Sequence, residues 1–299
     1  MVNALAADRA DDTVGRAYAA CERLAREHYE NFPVASIVLP KRMRPAIAAI
    51  YAFARRADDF ADEPGYHDDE RLRLLDEWGR RLRECVSWRP ASRSAEDLIF
   101  VALADTIRVH DLPLSLFEDL LSAFRQDVTV ERYRTWNDVL DYCARSANPV
   151  GRLVLRVAGY RDAELDRASD AVCTALQLTN FWQDFARDWA NGRLYVPLAD
   201  RDRVGARDAD LDAGRLSPEW RVALRDVSAR TRELFTAGRP VCDGVSGRLK
   251  LELRLTWLGG TRILEKLGRV DYDVFQHRPA LSAADAAPLV WRAVTWKAV

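Results

Sequence analysis

An all-α fold, in a single domain spanning residues 1–299, is predicted by three observations. Ala, Leu, Arg, Glu and Asp dominate the chain, and Val/Ile/Thr alternation of strand type is scarce. Pro and Gly punctuate it at intervals that suit helices, with short connections and no low-complexity linker. The first helix is expected over 12–30, ahead of Pro33. Pro40 precedes the second, 41–62, and Pro64-Gly65 ends it. Helices over 68–86 and 95–109 are separated by Pro90, and Pro113 opens the next, 113–127. A helix over 135–157 is interrupted at Pro149, and Gly159 parts it from 162–190, which stops at Gly192. Pro197 and Gly214 keep the following stretch irregular. Helices over 217–238, 243–268 and 281–296 complete the set, the last preceded by Pro279.

Bulk properties exclude several functions. Hydrophobic residues make up 48% and charged residues 30%, an ordinary balance for a water-soluble protein with an ample core. A net charge of −1 argues against a nucleic-acid binder. Five dispersed cysteines without CxxC spacing argue against a zinc site or a disulfide framework and suit a reducing cytosol. The four histidines form no HExxH or paired ExxH pattern. The amino terminus is too acidic for a signal or transit peptide, and no apolar run approaches the length of a membrane span. A cytoplasmic location is expected.

The chemistry concentrates in two acidic clusters set in apolar helical sequence, Asp58–Glu63 and Asp184–Asp188. Each holds two aspartates four residues apart, so both carboxylates leave one helix face a single turn apart. Tyr51, Arg55, Asp58, Asp59 and Asp62 share an arc of about 100°, and Gln177, Asn180, Asp184 and Asp188 one of about 80°. The other faces of the second helix carry Val172, Ala175, Leu178, Phe181, Trp182 and Phe185. A helix apolar around one polar stripe is buried and turns the stripe towards a partner or cavity. Mg²⁺ takes one or two carboxylates from protein and fills its other positions with water and phosphate. Two such faces opposing one another would clamp a Mg²⁺-bound diphosphate. An isolated acidic run reads as solvated helix surface, but the apolar surroundings of these two favour the clamp.

Three segments carry a family resemblance. YAFARRADDFADE (Tyr51–Glu63) resembles the first aspartate-rich motif of the squalene/phytoene synthase family, and LQLTNFWQDFARDWANGRLYVP (Leu176–Pro197) the second. YCARSANPVGRL (Tyr142–Leu153) is similar to that family's Tyr-Cys…Val-Gly element. Residues 28 to 280 share the likeness, which implies an isoprenoid-synthase-type helical bundle with a central active-site cavity. YENFPVAS (Tyr29–Ser36), SANPVGR and NFWQD resemble the bacterial hydroxysqualene synthase branch of hopanoid pathways. Three positions depart from the family pattern: Gln183 stands where Arg is usual, Arg187 where Glu is usual, and Asn31, before Phe32, where Ser is usual.

The resemblance implies ionisation of presqualene diphosphate and capture of the carbocation by water, giving hydroxysqualene and diphosphate, with two or three Mg²⁺ and no NADPH. Asp58, Asp59, Asp62, Asp184 and Asp188 are the candidate metal ligands, and by resemblance Asn180 joins them. Tyr51, Arg55, Tyr142, Asn180 and Gln183 are the candidate catalytic residues. Substrate contacts are expected from Phe32, Arg55, Asn148, Gln177, Arg187, Arg193 and Arg278, the guanidinium groups supplying forked donors to phosphate. Aromatic faces such as Phe32, Phe181 and Trp182 suit a cation, although each alone also suits core packing. Asn148, Asn180 or Gln183 could hold the attacking water. The segment Gly192–Pro197 reads equally as a loop over the site or as a helix stop.

A presqualene diphosphate synthase would supply the substrate, and a hydroxysqualene reductase would consume the product. Leu281–Lys297 reads as a packing helix that Pro288 kinks or splits, or else as a segment resting on the inner membrane face. Head-to-head condensation of two farnesyl diphosphates is the nearest rival reaction. A non-catalytic scaffold relative is the rival of another class, and it would be expected to lose aspartates that are intact here. An unrelated metal-binding bundle leaves the third segment unexplained.

Overall fold

The computed structural model describes residues 2–27, 38–62, 65–87 and 94–296, with side chains from residue 12 onward. Among them the regular structure is helical, and Arg132 and Leu194 form an isolated parallel bridge. The chain forms two compact units, Met1–Thr129 with Arg152–Arg161, and Val130–Gly151 with Asp162–Val299.

The first unit holds α1 (Val2–Glu27), α2 (Arg44–Asp62), α3 (Asp68–Ser87), α4 (Ala95–His110) and α5 (Leu114–Thr129). Along α2, Ala46, Ala49, Phe53, Ala57 and Phe60 recur at helical spacing and are buried. Their face lies opposite the Tyr51–Asp62 stripe, so burying the apolar side aims the polar one away from the core. Phe53 anchors that core: it stacks on Trp78 at 5.8 Å and meets Phe117 edge-on at 5.5 Å. The Trp78 indole N–H donates to the Phe53 carbonyl, satisfying the one polar atom of a fully buried ring. Ser94 and Asp97 cap α4 reciprocally.

The second unit is built on α8 (Ala163–Ala190), 28 residues long and capped by Asp162. Before it come α6 (Trp136–Ser146) and the first residues of α7 (Asn148–Val157). After it come α9 (Leu198–Val204), α10 (Asp208–Leu211), α11 (Pro218–Gly238), α12 (Val241–Gly244), α13 (Gly247–Arg269) and α14 (Ala283–Thr295). Helices α6, α11 and α13 pack against α8. The approach of α11 is close enough to require glycine: a Cβ on Gly238 would lie 2.8 Å from the Ala168 carbonyl oxygen and 2.8 Å from the Val172 nitrogen. Trp182 of α8 is fully buried and its indole N–H donates to Thr231 of α11.

Five expectations change. The first helix, expected from residue 12, begins at Val2. The interruption of 135–157 falls at Ala147, and Pro149 lies in the first turn of α7, where a missing N–H leaves no helical bond unmade. The helix expected over 243–268 begins at Gly247, whose φ of 61° is left-handed and breaks the chain from α12. The short helices α9 and α10 were not expected. Helix α14 runs unbroken through Pro288.

Candidate active site: two carboxylate stripes

The first stripe lies on α2 within the first unit. Arg55 sits between its aspartates, 3.5 Å from Asp58 and 2.7 Å from Asp59. Both carboxylates are part-exposed, at 42% and 25%, and Asp62 is exposed. The stripe is therefore not the uncompensated burial of charge that its apolar neighbours suggest, because Arg55 supplies a counter-charge one turn away. Beneath it, the Tyr51 hydroxyl and the Arg55 Nε are buried and make no hydrogen bond. Burial pushes the Tyr51 phenol above its ordinary range, with Arg55 opposing. Two orphaned donors behind a row of carboxylates make a surface for an oxygen-rich, metal-bound anion.

The second stripe lies on α8 within the second unit. Asn180 is exposed, while Gln177, Asp184 and Asp188 are half-buried. Arg278 donates to both oxygens of Asp184, and Arg187, on the exposed side, lies 3.7 Å from it. Burial pushes the Asp188 carboxyl up to about 7, the Asp184 charge adding to the rise while Arg193 and Arg187 oppose it. Such a carboxylate gains by meeting a cation. Gln183 donates its amide to the Pro279 carbonyl, tying α8 to the segment that carries Arg278.

Donor chemistry fits Mg²⁺ on both stripes: Asp58, Asp59 and Asp62 on one, Asp184, Asp188 and the Asn180 amide on the other, all oxygen donors to a hard cation. Among the described residues no three acidic, His or Cys side chains converge closely enough to enclose an ion by themselves.

An aromatic cluster adjoins the second stripe. Phe181 stacks on Tyr195 at 3.6 Å, and Tyr142 lies 6.0 Å from Phe181 and 5.8 Å from Tyr133. Tyr133 and Tyr195 were not singled out from the sequence. Tyr195 had a signal, its place in the Gly-Arg-x-Tyr-x-Pro pattern; Tyr133 had none. Trp182, offered as a cation-stabilising face, belongs to the core instead. Gly192, at φ 82°, stops α8, and the chain beyond it is pinned by Leu194 and Leu198 amides bonding the Glu131 and Tyr133 carbonyls. This segment is a helix stop and a bonded strap. Asn148 accepts a hydrogen bond from Thr174 at the start of α7. Phe32, with the YENFPVAS segment, and Glu63 lie outside the described residues.

The squalene/phytoene synthase family model matches residues 25–285. Hydroxysqualene synthase of Rhodopseudomonas palustris is 36% identical over 240 residues, covering 80% of this chain and 79% of that protein. The Zymomonas mobilis hydroxysqualene synthase is 38% identical over 209 residues, covering 69% of this chain and 67% of that protein. Among solved structures, squalene synthase HpnC from Alicyclobacillus acidocaldarius matches with a TM-score of 0.81 and 40% identity, over 87% of this chain and 95% of that one. The chain belongs to the squalene/phytoene synthase family, on the branch of the hydroxysqualene synthases, and its chemistry is an isoprenoid reaction of that type.

Proposed function

We propose that the protein converts presqualene diphosphate and water to hydroxysqualene and diphosphate. The observation that carries this reading is the 36–38% identity to hydroxysqualene synthases. The carboxylate stripes supply the physical basis. Asp58, Asp59, Asp62, Asp184, Asp188 and Asn180 would hold two or three Mg²⁺, which would supply positive charge for a leaving diphosphate. Arg55 and Tyr51 then find partners for their orphaned Nε and hydroxyl on phosphate oxygens, and Arg187, Arg193 and Arg278 add cationic charge beside the second stripe.

The carbon–oxygen bond of the substrate breaks heterolytically and its electron pair departs with diphosphate. The rearranged cation lies against aromatic faces from the Tyr133, Tyr142, Phe181 and Tyr195 cluster. A water, held by Asn148, Asn180 or Gln183, forms the new carbon–oxygen bond and loses a proton. No carbon is reduced, so no NADPH is needed. A presqualene diphosphate synthase acts before this enzyme and a hydroxysqualene reductase after it, in the cytoplasm.

The test is a comparison of substrates with Mg²⁺ and no NADPH. Presqualene diphosphate should be consumed to hydroxysqualene, and farnesyl diphosphate should be a poor substrate. Efficient conversion of farnesyl diphosphate to presqualene diphosphate or squalene would assign the condensation reaction instead.

A further inference from the structure

Helix α14 is polar on the inside and apolar on the outside. Its thirteen residues include two charges, Asp285 and Arg292. Asp285 is buried against α13, accepting from Arg262 Nε at 2.9 Å and from the Lys266 ammonium, which holds its carboxyl well below the usual carboxylate range. Leu289 and Ala293 follow it inward at four-residue steps. This ion cluster sets the helix's rotation, so its outer face cannot turn in. That outer face carries Val290, Trp291 and Val294, exposed by 49%, 70% and 63%, with four alanines and Pro288 around them. No charge interrupts it, and Arg292 stands at its edge. Beside it runs a groove of about 340 Å³, lined by Trp257, Leu258, Trp291 and Trp296 and walled by Arg239 and Arg292. The Arg239 guanidinium lies over the Trp296 ring at 4.8 Å.

An apolar helix face with exposed tryptophan and an arginine rim has the chemistry of an interfacial helix: rings and aliphatic groups enter the acyl boundary while guanidinium groups stay with the headgroups. Area separates this occupant from a second copy of the chain. The face presents three large apolar side chains, Val290, Trp291 and Val294, against the roughly 20–30 residues that a standard interface buries on each side. A stable dimer needs about 800 Å² from each partner. Asp243, which accepts from the Trp296 indole, is offset by Arg254 and Lys250, so with Arg239 and Arg292 the balance of charge at the rim is cationic and complements anionic lipid. We propose that α14 docks the protein on anionic membrane surfaces, Trp291 and Val294 entering the bilayer and Arg239 and Arg292 meeting the headgroups. This surface is separate from the carboxylate stripes, and the proposal does not depend on which isoprenoid reaction occurs.

The test is sedimentation of the full chain with vesicles of phosphatidylcholine alone or mixed with phosphatidylglycerol. The protein should pellet several-fold more with the mixed vesicles, and high salt should reduce this. Trp291→Glu combined with Val294→Glu should abolish pelleting while leaving the circular dichroism and melting temperature unchanged, because both side chains are mostly exposed. Arg292→Gln should weaken pelleting and lower its salt dependence. Equal pelleting of the double variant, or none by the wild type, would overturn the proposal. So would a wild-type dimer that the double variant converts to monomer, which would assign the face to a second copy.

Discussion

At the scale of single residues, the two stripes differ in how their charge is balanced, and that difference orders the expected effects of mutation. Asp59 is held by Arg55 at 2.7 Å, whereas Asp188 is half-buried and raised to about 7. Asp58→Ala and Asp184→Ala should each lower turnover by about 10³-fold or more, since metal stabilisation of developing charge is worth several kcal/mol and each 1.36 kcal/mol is tenfold in rate. Steady-state assays with circular dichroism as the fold control check this, and a near-native rate in either variant would reassign that aspartate to the surface. Tyr51→Phe removes an orphaned buried hydroxyl. It should therefore leave the free protein as stable or more so, while raising the KM for substrate, a combination that a purely structural tyrosine would not give.

At the scale of elements, the close approach of α11 to α8 rests on Gly238. Gly238→Ala would force a methyl against backbone atoms that cannot rotate away, costing about 1–3 kcal/mol and lowering the melting temperature by several degrees. Helix α13 carries a second sensitivity. Burial pushes the Glu252 carboxyl up to about 7, and its Oε2 makes no hydrogen bond. The unfolded carboxyl ionises near its ordinary value, about 4.3, so the folded state holds its proton more tightly. Stability from the neutral form is full below that value and is lost as pH rises through about 7. Glu252→Gln should therefore raise the melting temperature at pH 8 and change it little at pH 4, which scanning calorimetry at the two values checks.

Most helices were legible in the sequence because apolar residues recur at helical spacing and Pro or Gly marks their ends. The short α9 and α10 were not, since LADRDRVGARDADL is mostly polar and offers no apolar period. The break before α13 did have a signal in the poor helix formers Gly244, Ser246 and Gly247, which a single helix over 243–268 passes over. For the candidate site, the stripes themselves could be read from four-residue spacing. Their partners across the chain could not: Arg278 lies 94 residues from the Asp184 it binds, and Tyr133 reaches the aromatic cluster through a bridge between distant segments.

At the scale of the whole molecule, the chain passes between its two compact units three times, at 129–130, 151–152 and 161–162. We propose that these crossings make one cooperative domain of them, so thermal unfolding should show a single transition by calorimetry and by circular dichroism. Neither unit carries both stripes: Asp58, Asp59 and Asp62 belong to the first, Asp184 and Asp188 to the second. Activity should disappear when EDTA is added and return when Mg²⁺ is restored in excess. No helix among the described residues is long and apolar enough to cross a membrane.

We propose that water, not a hydride or a second isoprenoid, ends the reaction. Incubation with presqualene diphosphate and Mg²⁺ in H₂¹⁸O, without NADPH, tests it most directly by mass spectrometry of the C30 product. Hydroxysqualene whose hydroxyl carries ¹⁸O is the expected product. An unlabelled hydroxyl, or squalene formed only when NADPH is present, would contradict it.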